Sequence, residues 1–184
     1  MLAVLYDIHG NLVALEEVLG DAEAAGADRY LLGGDFASWS PWPLETIARL
    51  RGLPNTTWIR GNGERWLREL PLDRPEVVDA LRERDSGLGT EEGWLYSLQA
   101  QKELDGVLYV HGSPLSDVDS FPAESGSDDE RILEGVRDQT VVFGHSHLQF
   151  RRIPFDTERV AHAWEALGGT FGQMAAARTR RGSD

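Results

Sequence analysis

Short apolar runs alternate with longer stretches in which apolar residues return every three or four positions, and this alternation organises most of the chain. Leu2-Ala3-Val4-Leu5 reads as a buried strand. Leu12, Leu15, Val18, Leu19 and Ala22 follow at helical spacing, and Gly26 stops the pattern where a glycine ends helices. Arg29 to Leu32 is a second strand, so strand, helix and strand predict a right-handed βαβ unit with a parallel pair. A short helix over 44–50 and a third strand, Thr56 to Ile59, come next. Trp66 to Arg84 is helical with a break at Pro71 to Pro75, and 91–98 is a further short helix. Asp105-Gly106 between Leu104 and the run Val107 to Val110 predicts a hairpin. A helix over 128–136 and a strand over Thr140 to Phe143 follow. Phe150 to Ile153 and Arg159 to Ala163 are also read as strands, and Met174 to Asp184 as a disordered end. The expected organisation is one domain over 1–165 with a partly disordered tail over 166–184.

Composition narrows the chemistry. The chain has 184 residues, enough for one substantial core, and no cysteine, which excludes disulfides and zinc–thiolate sites. A transition metal would have to be held by His, Asp, Glu or Asn. A net charge of −13 argues against a surface that tracks a nucleic-acid polymer, because such surfaces cluster Lys and Arg. A phosphate substrate would need a local cation. With no basic–apolar leader and no apolar run of membrane length, the expectation is a cytoplasmic protein without a membrane partner. Ser113 to Asp138 holds eight acids and two arginines and reads as a solvated loop with one helix.

The predicted strands share a property at their ends. The first runs into Asp7-Ile8-His9-Gly10-Asn11, the second into Gly33-Gly34-Asp35, and the third into Arg60-Gly61-Asn62-Gly63-Glu64. Val107 to Val110 runs into His111-Gly112-Ser113-Pro114, and Thr140 to Phe143 into Gly144-His145-Ser146-His147. Open α/β sheets carry ligands at this edge. On extended backbone, side chains at i and i+2 point the same way, which would pair Asp7 with His9 and His145 with His147. A lone histidine at a strand end is usually structural, but seven metal-capable side chains at five strand ends are not a coincidence of packing. Mixed nitrogen and oxygen donors suit Mn²⁺, Fe or Zn²⁺, and seven ligands exceed one ion's share. Two ions are the arrangement that in-line phosphoryl transfer uses. His162 stands outside these blocks and reads as a surface residue.

These five blocks, in this order, resemble the signature of the calcineurin-like metallophosphoesterases: D-x-H, G-D, G-N-x-[DE], H and G-H-x-H. The stretches D-I-H-G-N, R-G-N and V-H-G-S-P are most similar to the small bacterial phosphodiesterase branch, which includes dinucleotide polyphosphate hydrolases. The resemblance implies an α/β fold, a β-sandwich of two mixed sheets flanked by helices in four layers. It implies that Asp7, His9 and His147 hold one divalent ion and Asn62, His111 and His145 the other, with Asp35 bridging. Mn²⁺ is the first choice, with Fe, Zn or Ni as alternatives.

The expected activity is hydrolysis of phosphodiester, phosphoanhydride or phosphomonoester bonds in a small phosphorylated substrate, nucleotides among the candidates, by a metal-bound hydroxide. Asp35, Asn62 and His111 are the expected catalytic residues, and Asn11, Arg60 and Trp39 the expected substrate contacts. Trp39 and Trp42 either stack on a flat group or cover the domain's own surface. Two features depart from the family pattern: Gly63 stands where many relatives have a histidine, and no N-P-G-S segment follows His147. The alternative function is a non-catalytic interaction module on the same scaffold.

Overall fold

The computed structural model describes residues 1–83, 85–121, 129–133, 136, 140–147 and 154–181. Its strands and helices follow the hydrophobic pattern closely through the first half. β1 (Leu2–Leu5), α1 (Leu12–Ala24) and β2 (Arg29–Leu32) form the parallel βαβ unit, with Asn11 capping α1 through its Oδ1, 3.1 Å from the Ala14 N–H. α2 (Pro43–Arg51) starts on a proline, whose missing N–H costs nothing in a first turn, and leads to β3 (Thr56–Trp58), which pairs parallel with β2. Next come α3 (Asn62–Trp66), α4 (Pro75–Arg82) and α5 (Glu91–Ser97). Asp105 and Gly106, both at positive φ, make the expected tight hairpin between β4 (Gln101–Leu104) and β5 (Val107–Val110). α6 (Asp129–Ile132) and β6 (Thr140–Val142) follow, β6 parallel to β5.

Two three-stranded sheets result, β1-β2-β3 entirely parallel and β4-β5-β6 mixed. Strand alternation sorts the side chains of the first sheet between two cores. Tyr30, Leu32 and Trp58 pack with Leu15 and Leu19 of α1 and Ile47 and Leu50 of α2. Leu31 and Ile59 turn the other way, onto Tyr109, Val107 and Val142 of the second sheet. Among the described residues no helix is long and apolar enough to cross a membrane.

Two expectations change after His147, and a third is not tested. The proposed strand Phe150 to Ile153 lies outside the described residues. Arg159 to Ala163 is not a strand but part of α7 (Thr157–Leu167), capped by Asp156 Oδ1 2.9 Å from the Arg159 N–H, with Val160 and Ala161 buried on one face. The short apolar run was ambiguous in length, and the cap decides it. Within the tail expected to be partly disordered, the described residues include a helix, α8 (Gly169–Arg181), which buries Gly172 and Ala176 and sets Phe171 edge-on to Trp164 of α7 at 5.7 Å between rings.

Tyr6 locks the two sheets where their ligand-bearing strands end. Its hydroxyl donates to the Val142 carbonyl at 3.1 Å, and its ring fills the space that Gly33 and Gly144 leave open. A Cβ at Gly33 would stand 2.1 Å from the Tyr6 ring. Gly33→Ala should therefore lower stability by about 1–3 kcal/mol in denaturant titrations, as overpacked cores do. Tyr6→Phe, losing only the hydrogen bond, should cost about 1 kcal/mol.

Candidate metal centre

Five of the seven candidate ligands leave their strand ends on left-handed backbone, and Asn62 opens α3. Asp7, His9, Asp35, His145 and His147 all adopt left-handed φ values between 46° and 62°. Non-glycine residues seldom do so, and such strain gathers at functional sites. The expectation that strand alternation pairs Asp7 with His9 and His145 with His147 is thus corrected: each residue turns through the left-handed region, which brings His9 to Asp7 but sets His145 and His147 in different groups of ligands. Tight backbone bonds hold the turns, from His9 N to Asp35 O at 2.9 Å and from Gly10 N to Phe36 O at 2.7 Å. The His145 N–H donates to Asp7 Oδ2 at 2.7 Å. Gly34, at φ 99°, brings its chain so near Gly61 that an added Cβ would lie 2.3 Å from the Gly61 nitrogen.

The side chains form two overlapping groups. Asp7, Asp35, His111 and His145 have ligand atoms within 4.8 Å of one another, as do Asp7, His9 and His147. Asp7 Oδ1 lies 3.3 Å from His147 Nε2 and 3.8 Å from both His9 and His111 Nε2. Asp35 Oδ2 reaches in both directions too, 3.6 Å from His111 and 3.9 Å from His9. His111 Nδ1 is 2.9 Å from the Gly33 carbonyl, which can only accept, so that nitrogen carries the proton and Nε2 faces the cluster.

Whether the donors fit divalent ions can be judged from two buried oxygens. Asp7 Oδ1 is buried with no hydrogen-bond partner. Asn62 can place either end of its amide at a point 3.1 Å from His111 Nε2 and 3.0 Å from His145 Nδ1. With the oxygen inward, lone-pair donors converge there, an arrangement that a cation reconciles. The set of nitrogens and oxygens without sulfur suits a borderline transition metal.

Electrostatics of the metal-free cluster follow from burial and crowding. Burial alone would raise the Asp35 carboxyl, but the His111 charge and hydrogen bond, with His9 behind them, pull it well below the ordinary carboxylate range. Burial works against His111 as well, yet Asp35 and Asp7 push it up to about 9. His9 goes down, chiefly through burial. His147 goes up, chiefly through the Asp7 carboxylate 3.3 Å from its Nε2.

Behind the cluster stands Glu64, fully buried. Its carboxylate accepts the backbone N–H groups of Asp35 and Phe36, each at 2.9 Å, and of Gly61 at 2.8 Å. Burial and the Asp35 charge raise its carboxyl to about 7, against the pull of those three donors. A second brace leaves no mark in the local sequence pattern. Arg65 grips Asp117 with two bonds, at 2.7 and 2.8 Å, tying α3 to the loop after β5. Asp117 had been expected in a solvated acidic loop; its partner lies 52 positions away, beyond the reach of local pattern.

The expected substrate contacts fare differently. Asn11 spends its amide oxygen on the α1 cap, leaving its amide nitrogen uncommitted by that bond. Arg60 is engaged by Tyr96: Nη1 donates to the Tyr96 carbonyl at 2.8 Å and the guanidinium lies over the Tyr96 ring. Trp39, half-buried at φ 55°, is pinned by its N–H to the Ser86 carbonyl at 2.9 Å, and its loop neighbour Ser40 abuts Gly10 beside His9. His162 is exposed on α7, 4.0 Å from Glu158, as a surface residue would be.

A family model described as calcineurin-like phosphoesterase matches residues 2–172. A solved metallophosphoesterase from Sphaerobacter thermophilus is 28% identical with a TM-score of 0.60, over 80% of this chain and 60% of that one. This chain thus spans less than two thirds of that protein's length. A protein serine/threonine phosphatase from Saccharomyces cerevisiae with similarity to human phosphatase PP5 aligns at 20% identity and a TM-score of 0.36, over 67% of this chain and 39% of its own. That likeness is too slight to carry an argument. No curated protein matches the chain.

Two measurements check this geometry. Glu64→Ala strands three buried N–H groups and should cost about 3 kcal/mol or more in denaturant titrations. In chelator-treated protein, the raised His111 contributes stability that is complete below its ordinary value of 6.5 and lost as pH climbs through about 9. The stability gap between the parent and His111→Gln should therefore narrow across that interval.

Proposed function

The chain belongs to the calcineurin-like phosphoesterase family, and from that premise we propose that it hydrolyses a small phosphorylated substrate with the help of two divalent ions, Mn²⁺ first among them. The observation that carries the reading is the convergence of seven donor side chains around the buried, unpartnered Asp7 Oδ1. Asp7, His9 and His147 would hold one ion and Asn62, His111 and His145 the other, with Asp35 between them. Divalent cations held there supply activation of water and neutralisation of charge on the phosphoryl oxygens. The chain's own residues do the rest. Glu64 fixes the backbone on which Asp35 and Asn62 stand, and the Gly33 carbonyl fixes the tautomer of His111. Asn11 offers its amide N–H groups to a phosphate oxygen. Trp39, in the loop that abuts Gly10, lines the approach. A complete donor set favours this reading over an interaction module.

Gly63 shapes the substrate range. Its N–H donates to Asp35 Oδ1 at 2.7 Å, and a Cβ there would stand 2.9 Å from the same oxygen. No side chain fits unless Asp35 moves, so the histidine that many relatives carry has no equivalent here. A positioned general acid is typically worth roughly 10² to 10⁴-fold on poor leaving groups. Aryl diesters and phosphoanhydrides, whose leaving groups are weak bases, should outpace alkyl monoesters by that order.

The test is a Mn²⁺-supplemented screen of bis-aryl phosphates, aryl phosphates, cyclic nucleotides and dinucleotide polyphosphates. Hydrolysis that chelator abolishes, with kcat/KM falling steeply as leaving-group pKa rises, is the expected result. A flat dependence would remove Gly63 from the account. Inactivity on every class with metal loaded would defeat the phosphoesterase reading.

A further inference from the structure

The point where Asn62 places one end of its amide, 3.1 Å from His111 Nε2 and 3.0 Å from His145 Nδ1, is also 3.2 Å from the main-chain carbonyl oxygen of Asp117. A carbonyl oxygen can only accept. Were the amide nitrogen to take this place, its two hydrogens would face three acceptors. The amide oxygen would gain only the Gly63 N–H, which already donates to Asp35 Oδ1 at 2.7 Å. With the amide oxygen there, as a metal ligand would be, two carbonyl oxygens face each other with no hydrogen between them. Cis ligands of an octahedral ion with bonds of about 2.1 Å stand roughly 3 Å apart. The Asp117 oxygen therefore stands where a neighbouring ligand of the same ion would.

The loop after His111 is built to hold it there. The chain turns back at once: the Ser113 N–H donates to the Ser116 carbonyl at 2.7 Å, and a Cβ at Gly112 would lie 3.0 Å from the Asp117 carbonyl carbon. Ser116 Oγ then accepts the N–H groups of Val118 and Asp119 at 3.2 and 2.9 Å, which fixes the main chain on both sides of Asp117. Among the described residues no backbone N–H donates to the Asp117 carbonyl.

Arg65 supplies the second hold. Its guanidinium bonds both carboxylate oxygens of Asp117, at 2.7 and 2.8 Å, and the two side chains are only 24% and 15% exposed. A planar fork on a carboxylate sets direction as well as distance. Arg65 stands three residues after Asn62 on α3, so one turn of helix presents both the amide and the clamp. A tie between α3 and the loop would account for the ion pair, but not for a bare carbonyl turned onto the Asn62 amide.

We propose that the main-chain carbonyl of Asp117 is a further oxygen ligand of the ion that Asn62, His111 and His145 would hold, and that Arg65, acting through the Asp117 carboxylate, is its positioning residue. A carbonyl added to an amide and two imidazoles shifts that position from Zn²⁺ towards Mn²⁺, which takes more ligands and favours oxygen. The proposal rests on the two-ion reading above, but it is read from metal binding without turnover.

The experiment titrates Mn²⁺ calorimetrically into the metal-free full chain of the parent, Arg65→Met, Asp117→Asn and, as a control that breaks the separate Arg49–Glu16 ion pair, Arg49→Met. Residues that orient metal ligands are typically worth roughly 10 to 100-fold in affinity. One of the two binding steps should weaken about tenfold in Arg65→Met and less in Asp117→Asn, which keeps an oxygen for the guanidinium. The other step, and both steps in Arg49→Met, should match the parent. Pulsed EPR of Mn²⁺-loaded protein, made with aspartate carrying ¹³C only at its main-chain carbonyl, reads the ligand itself. The parent should show a strong ¹³C coupling that Asp117→Glu, with the same carbonyl unlabelled, lacks. Parent-like affinity in Arg65→Met, a loss shared equally by both steps, or no such coupling in a parent that holds two ions would overturn the proposal and leave the two-ion reading intact. A parent that binds no Mn²⁺ would overturn both. If Arg65→Met misfolds, the ¹³C coupling in the parent decides alone.

Discussion

The Glu64 carboxylate holds together what the site depends on. Three backbone N–H groups, two from the end of β2 and one from the end of β3, point inward where the chain has left regular pairing. Buried donors without partners are costly, and these three lie past the last paired residues of β2 and β3. One carboxylate from the first turn of α3 accepts all three. It thereby fixes the positions of Asp35 and Asn62, which stand on the strands so joined. Tyr6 does the corresponding work between the sheets, which is why Gly33 and Gly144 lack side chains.

Such scaffolding allows the candidate ligands to sit where an isolated chain would not put them. Five left-handed, non-glycine residues in one cluster amount to stored strain of the order of 1–3 kcal/mol each. The same turns bring like-charged carboxylates and crowded imidazoles within 4.8 Å. Nothing in packing rewards either arrangement. A pair of divalent cations would reward both, by neutralising Asp7 and Asp35 and by giving the ring nitrogens and the Asn62 oxygen a common partner. Strain and electrostatic crowding therefore point to the same cause.

Among the described residues, apolar runs announced five of the six strands and the Asp105-Gly106 turn announced β4, while the polar strand ends announced the ligands, because all of these depend on short-range spacing. The reason assigned to Asp7 and His9 was nevertheless mistaken, since left-handed turns leave no mark in a hydrophobic pattern. Partners far apart in sequence stayed hidden too: Arg65 with Asp117, and Tyr6 with Val142. So did α8, whose small residues and arginines look like a solvated tail until Gly172 and Ala176 find α7 to pack against. Legibility ended where stability comes from tertiary contact instead of local propensity.

The proposed function requires that the five strand ends hold two ions through a shared carboxylate. The most direct measurement is the metal content of the folded protein after Mn²⁺ loading and removal of free metal, by elemental analysis of the parent and Asp35→Asn. The account requires two ions per chain in the parent and one or none, weakly held, in the variant. One ion per parent chain, or two tightly bound ions in Asp35→Asn, would contradict it.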